Sequence, residues 1–95
     1  MTAEPSRTWR IPPESELRHR AWDGEHVFFH GAAGDTHRFS EPAALVLLRL
    51  MRAPADEATL AAELAGAADA EPAEAAAALS DILRELARLE YVEPQ

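Results

Sequence analysis

The chain of 95 residues contains no cysteine. Disulfides and thiolate chemistry are therefore excluded, as in a cytosolic protein. No segment approaches the roughly 18 consecutive apolar residues of a membrane helix. The first residues lack the basic start and apolar run of a signal peptide. These absences predict a soluble, cytoplasmic protein with no membrane partner. A glycine-rich phosphate loop is also missing. Nothing supplies a nucleophile elbow, so catalysis by this chain alone is not expected.

What is present is one small domain. Hydrophobic content is 47%, though much of it is alanine, which buries little area per residue. The net charge of −8 is unevenly spread. Residues 1–52 carry seven arginines and seven acids, whereas residues 53–95 carry two arginines and ten acids. An acidic half repels phosphate backbones and argues against nucleic acid as a partner.

The stretch Gly34 to Leu48 organises the rest. It reads as a strand, Thr36 to Phe39, that ends directly in a helix. Ser40 is suited to cap that helix, because its hydroxyl can accept an orphan amide of the first turn. Pro42 sits in that turn, where a missing N–H costs nothing. Upstream, Met1 to Arg7 is polar and carries Pro5, so residues 1–8 are expected to be a disordered tail and residues 9–95 the domain. Trp9 is expected to pack back on the sheet. Leu17 to Trp22 alternates as a strand. Asp23-Gly24 is a strong hairpin signal, because both positions tolerate positive φ. Glu25 to His30 returns. There Val27 and Phe29 share one face, and His26, Phe28 and His30 the other. Asp35 to Phe39 completes a three-stranded antiparallel meander whose last strand can be an edge.

Helix follows. Glu41 to Arg52 is apolar around most of its circumference and so buried. Asp56 caps a second helix from Glu57 to Ala65, with Gly66 at its C-terminal end. Pro72 starts a third helix reaching about Glu90, with Leu79, Ile82, Leu83, Leu86 and Leu89 at helical spacing. Tyr91-Val92 can fold back as a short final strand. The expected fold is α+β and winged-helix-like, a three-stranded antiparallel sheet followed by three helices.

Three constellations invite chemistry. His26, His30 and His37 suggest a metal, but His26 and His30 are four residues apart on a strand, roughly 13 Å by strand rise. Zinc wants converging nitrogens at about 2.0–2.1 Å, so no metal and no cofactor are expected. Asp35, His37 and Ser40 suggest a charge relay, but there is no oxyanion hole, and Ser40 serves as a cap. The helical part suggests a DNA reader, but the region from Glu71 to Glu93 sets six acids against Arg84 and Arg88. What remains is an edge strand beside an apolar helix, a natural groove for an extended peptide.

A family resemblance points the same way. Trp9-Arg10-Ile11-Pro12, Leu17-Arg18, Trp22-Asp23-Gly24-Glu25, Val27-Phe28-Phe29, Gly34 to Phe39, Pro42-Ala43-Ala44 and the closing run Leu86 to Pro94 together resemble the PqqD-like peptide chaperones, the RiPP precursor-peptide recognition elements. Among these the chain looks most like the PqqD family of the HPr-rel-A system. The resemblance implies a non-catalytic chaperone that captures a precursor, or leader, peptide by strand addition and presents it to a modifying enzyme. It implies a groove formed by Thr36, His37, Arg38 and Phe39 with Ile82, Leu83, Glu85, Leu86 and Leu89. It further implies a partner resembling an HPr serine kinase or a nucleotidyltransferase. Asp81 and Glu85 would favour Arg or Lys in the peptide. Many relatives place a glycine before the closing apolar pair, where this chain has Glu90. The alternatives are a degenerate winged-helix transcription regulator, or an accessory subunit that activates a kinase-like partner.

Overall fold

A computed structural model describes residues 6–95. The elements run β1 (Thr8–Arg10), β2 (Leu17–Trp22), β3 (Glu25–His30), β4 (Asp35–Phe39), α1 (Glu41–Arg52), β5 (Ala55–Asp56), α2 (Glu57–Ala68), α3 (Pro72–Arg88) and β6 (Glu93–Pro94). The architecture is α+β, a three-stranded antiparallel sheet followed by three helices, with a second small sheet beside them.

The main sheet has the order β2-β3-β4. Asp23 and Gly24 take φ of 51° and 74° at the first hairpin, the double positive φ that a tight primed turn requires. His26 pairs with Phe39, Phe28 with His37 and His30 with Asp35 across β3 and β4. The alternation is the expected one: Phe28 and His30 are buried, while Phe29 faces outward and is exposed. At the second turn, a side chain on Gly31 would come within 2.9 Å of the Glu16 Cβ. The loop before β2 thus packs against a glycine that no other residue can replace without movement.

The second sheet, in the order β5-β1-β6, was not legible in the sequence beyond the suggestion of a final strand. That final strand is Glu93–Pro94, not Tyr91-Val92. Tyr91 and Val92 are instead core residues, 1% and 3% exposed. Trp9 lies in β1 between Ala55 and Pro94, and its Nε1 donates to the Glu57 carboxylate at 2.7 Å. It is buried in a strand of the second sheet and belongs to the same core cluster as Phe28 of the meander. Of the expected tail, Met1 to Pro5 lies outside the described residues. Ser6 to Thr8 is tied down: the Ser6 hydroxyl accepts from Ala58 N, the Arg7 carbonyl accepts from Glu57 N, and Thr8 is in β1.

The junction forms as expected. Ser40 is extended, at φ −61° and ψ 162°, and its Oγ accepts from Ala43 N at 3.4 Å, a long bond. α1 then buries Ala44, Val46, Leu47 and Leu50. Asp56 caps α2, with its carboxylate accepting from Thr59 N at 2.8 Å. α2 continues past the expected end at Ala65. Gly66 is absorbed inside the helix, and Asp69 supplies the left-handed turn at φ 52°. Asp is one of the few residues that can take that conformation at tolerable cost. Trp9, Phe28, Leu47, Leu60, Leu83, Leu86 and Tyr91 draw both sheets and all three helices into one core.

Candidate functional site

β4 is paired on one side only. β3 takes one ladder, and the opposite backbone edge has no strand beside it among the described residues. Every second residue on that edge presents a free N–H and C=O, ready to accept another strand. α3 runs alongside. Its apolar stripe divides between two faces, which explains why it is wider than a core alone needs. Leu79 and Leu83 turn to the core and are buried, while Ile82 and Leu89 are half-buried toward β4. Leu86, 1% exposed, forms the floor between them.

An open groove of roughly 620 Å³ lies between these elements. Of the residues expected there, His37, Arg38, Phe39, Ile82, Glu85, Leu86 and Leu89 all line it. Thr36 and Leu83 do not. Thr36 pairs with Phe29 and opens on the outer face of the sheet, because β4 alternates. Leu83 is 3% exposed and belongs to the core. The groove also includes Ser40, Ala43, Asp81 and Arg88. Asp81 is the acid expected to act on the peptide beside Glu85, and the i, i+3 spacing from Glu85 could have found Arg88 on the same helix face.

The groove wall is aromatic and fixed. His37 Nδ1 lies 2.8 Å from the Tyr91 hydroxyl, and its ring stacks on Phe39 with centroids 5.9 Å apart. Tyr91 meets Phe39 edge-on at 5.1 Å and reaches the Phe28 carbonyl at 3.4 Å. Burial, helped by the nearby Asp35 carboxylate, pushes the Tyr91 hydroxyl up to about 12. Tyr91 therefore holds its proton as a structural donor and sets the angle of His37. No feature of the sequence placed Tyr91 behind the strand, because the contact spans 54 positions.

Charge in the groove is already paired. Arg88 donates twice to the Glu85 carboxylate, at 3.1 and 2.6 Å. Hydrogen bonding from Arg88 holds the Glu85 carboxyl below the usual carboxylate range, and His37 adds to this. Asp81 accepts from Arg84 at 3.2 Å. The acids that would select a basic peptide are thus each engaged by an arginine of their own helix, which weakens the basis for that preference.

The histidines are engaged locally. His30 Nε2 donates to the Glu90 carbonyl at 3.0 Å, while its Nδ1 accepts from Ala33 N at 3.2 Å. His19 Nε2 and His26 Nδ1 lie 3.0 Å apart. Desolvation, then the His26 charge, lowers the His19 pKa. His26, His30 and His37 do not converge: His26 and His30 flank Phe28, and His37 pairs opposite Phe28 across the ladder. Among the described residues no group of three or more His, Asp or Glu is placed to hold a metal ion.

An open strand edge, a helix beside it and a groove with an apolar floor together mark the main concave surface of this side of a small α+β domain. The model of the family described as coenzyme PQQ synthesis protein D (PqqD) matches residues 25–92, and the chain belongs to that family. A solved structure of the lasso peptide synthetase B1 complexed with the leader peptide has the same fold, with a TM-score of 0.69. That likeness covers 90% of this chain and 98% of the other at 22% identity. No curated protein matches the chain. No helix among the described residues is long and apolar enough to cross a membrane.

Proposed function

We propose that the protein is a non-catalytic chaperone that captures a precursor peptide as a fourth strand on β4 and presents it to a modifying enzyme. One observation carries this reading: the free edge of β4 runs beside the α3 groove, so backbone pairing and side-chain pockets lie within one peptide's reach. Family membership supports it, as does the shared fold of a lasso peptide synthetase B1 complexed with the leader peptide. In this reading main-chain bonds to β4 give affinity. Alternate peptide side chains enter the apolar strip formed by Phe39, Ala43, Ile82, Leu86 and Leu89. With Asp81 and Glu85 already paired, selection rests on apolar anchors more than on charge. The modifying enzyme in this proposal resembles an HPr serine kinase or a nucleotidyltransferase, and the chaperone acts in the cytoplasm.

The test is an amide NMR titration with synthetic peptides taken from short reading frames beside the gene. Saturable shifts on β4 and on α3 from Asp81 to Leu89 are expected. Shifts confined to the Asp23-Gly24 hairpin would defeat the assignment.

A further inference from the structure

The outer face of the main sheet is unlike the rest of the molecule. Alternation sends Arg18, Arg20 and Trp22 of β2 outward. In register they meet Phe29, Val27 and Glu25 of β3, and then Thr36 and Arg38 of β4. The face is thus made of cross-strand rows, Arg18-Phe29-Thr36 and Arg20-Val27-Arg38, with Trp22 at the hairpin end. Trp22 is 53% exposed and Phe29 42%, and these are the exposed aromatic residues of the domain. A shallow cavity of roughly 310 Å³ lies among them.

The charges are the informative part. All nine basic residues of the chain are arginines, against seventeen acids. Five of the nine arginines, Arg10, Arg38, Arg49, Arg84 and Arg88, each hold a carboxylate. Among the described residues Arg7, Arg18, Arg20 and Arg52 have none within 4.0 Å, and of these Arg18 and Arg20 sit two positions apart on one strand face. They are about 6.6 Å apart along the strand. A pair of unpaired like charges beside exposed aromatic rings has no role in the core, which lies on the other side of the sheet.

We propose that this outer face is a second docking surface, which takes an acidic segment of a partner protein through ion pairs to Arg18 and Arg20 around an apolar contact on Trp22 and Phe29. Charge complementarity selects the occupant. A carboxylate-bearing protein segment matches two guanidiniums that can each grip it in a two-pronged way. A nucleic acid is a poorer match, because it draws its affinity from many phosphate contacts and this face offers two free arginines. A second copy of the chain would bring its own Arg18 and Arg20 against the first pair. The surface stands apart from the peptide groove. The outer cavity and the groove share no lining residue, although Arg38, at the end of one outer row, also borders the groove.

The experiment titrates the labelled full chain with a short synthetic peptide of glutamate and leucine, and with its counterpart carrying lysine for glutamate. The acidic peptide should shift the Trp22 indole N–H and the amides of Val27 and Phe29, saturably, with affinity falling as salt rises. The double variant Arg18→Glu with Arg20→Glu should weaken it at least tenfold. Phe29→Thr should also weaken it without altering the charge. Melting curves of both variants, whose changes are on the surface, establish that the fold is kept. Equal binding of the lysine peptide would overturn the proposal, as would shifts only on Ile82 and Leu86, or affinity unchanged in the arginine variant. Tighter binding of a thymidine oligonucleotide at this face would replace the partner with nucleic acid. Concentration-dependent shifts of the same amides without any peptide would replace it with a second copy of the chain.

Discussion

The ring of His30 lies 3.0 Å from the carbonyl oxygen of Glu90, the residue that turns the chain out of α3 at φ 66°. The turn is a complete Schellman motif. Tyr91 N donates to the Leu86 carbonyl at 2.9 Å, and Glu90 N donates to the Ala87 carbonyl at 3.0 Å. A non-glycine residue in the left-handed region costs roughly 1–2 kcal/mol. The His30 bond and the burial of Tyr91 and Val92 just beyond hold it there. Glu90→Gly should therefore stabilise the protein. The relief of strain is partly offset by the freer unfolded chain, leaving a gain of roughly 0.5–1 kcal/mol. Chemical denaturation measures it, and a loss of stability would mean that the Glu90 side chain has a role of its own.

This turn also shows what a sequence can and cannot reveal. The absence of glycine at position 90 is visible in the sequence, but the histidine that compensates for it is 60 positions away. The meander was legible because strand alternation and Asp23-Gly24 are local signals. The three helices were legible for the same reason: their caps and stripes lie within a few residues. The β5-β1-β6 sheet was not. Its strands are two or three residues long, too short for any period, and they pair only after the chain has folded. For the groove, the sequence located β4 and the right stretch of α3. It could not separate Ile82 from Leu83, because one stripe serves both the core and the groove. Only the rotation of α3 in the fold assigns each.

The strand-to-helix junction should tolerate loss of its cap better than loss of its packing. The Ser40 bond to Ala43 N is long, at 3.4 Å, and Ser40 is exposed. Ser40→Ala should cost only about 0.5 kcal/mol, the low end for a cap. Leu47, completely buried, should cost about 2–5 kcal/mol when replaced by alanine. Leu48, half-buried, should cost less than Leu47. Urea denaturation ranks the three. A serine variant that keeps full stability but loses peptide binding would instead return Ser40 to the site, whose rim it lines.

The lone tyrosine offers a test by pH. Its hydroxyl is raised from an ordinary value of 10.0 to about 12 in the folded protein. The protonated form is thus favoured by folding. The resulting stability is fully present below pH 10 and is lost as pH rises toward 12. Ultraviolet titration should show late ionisation of Tyr91 in the native protein and ordinary ionisation in urea. Tyr91→Phe should abolish this window and release the His37 ring. Ordinary ionisation in the native protein would show that the hydroxyl is wetter than its packing against Phe28, His37 and Phe39 implies.

The mode of peptide capture is testable without knowing the register. In a ladder, successive amides point to opposite sides, so either His37 or its neighbour Arg38 offers its N–H to the open edge of β4. Proline at the position facing β3 removes a ladder bond and should destabilise the fold. Proline at the position facing the open edge removes no ladder bond and should cost far less, even where, at His37, it also gives up the contact with Tyr91. That same change takes a donor from any added strand and places a ring where the peptide backbone must approach. His37→Pro and Arg38→Pro, made separately, should therefore behave oppositely in thermal melts, and the stable one should fail to bind peptide. Arg38→Ala, by contrast, should bind nearly as well as the parent. Its side chain is exposed and tied to Glu25 at 3.1 Å, and strand addition draws on its backbone. Calorimetry beside the melts separates loss of binding from loss of fold. If the stable proline variant bound peptide with parental affinity, the peptide would not be pairing with β4, and the groove would be gripping side chains alone.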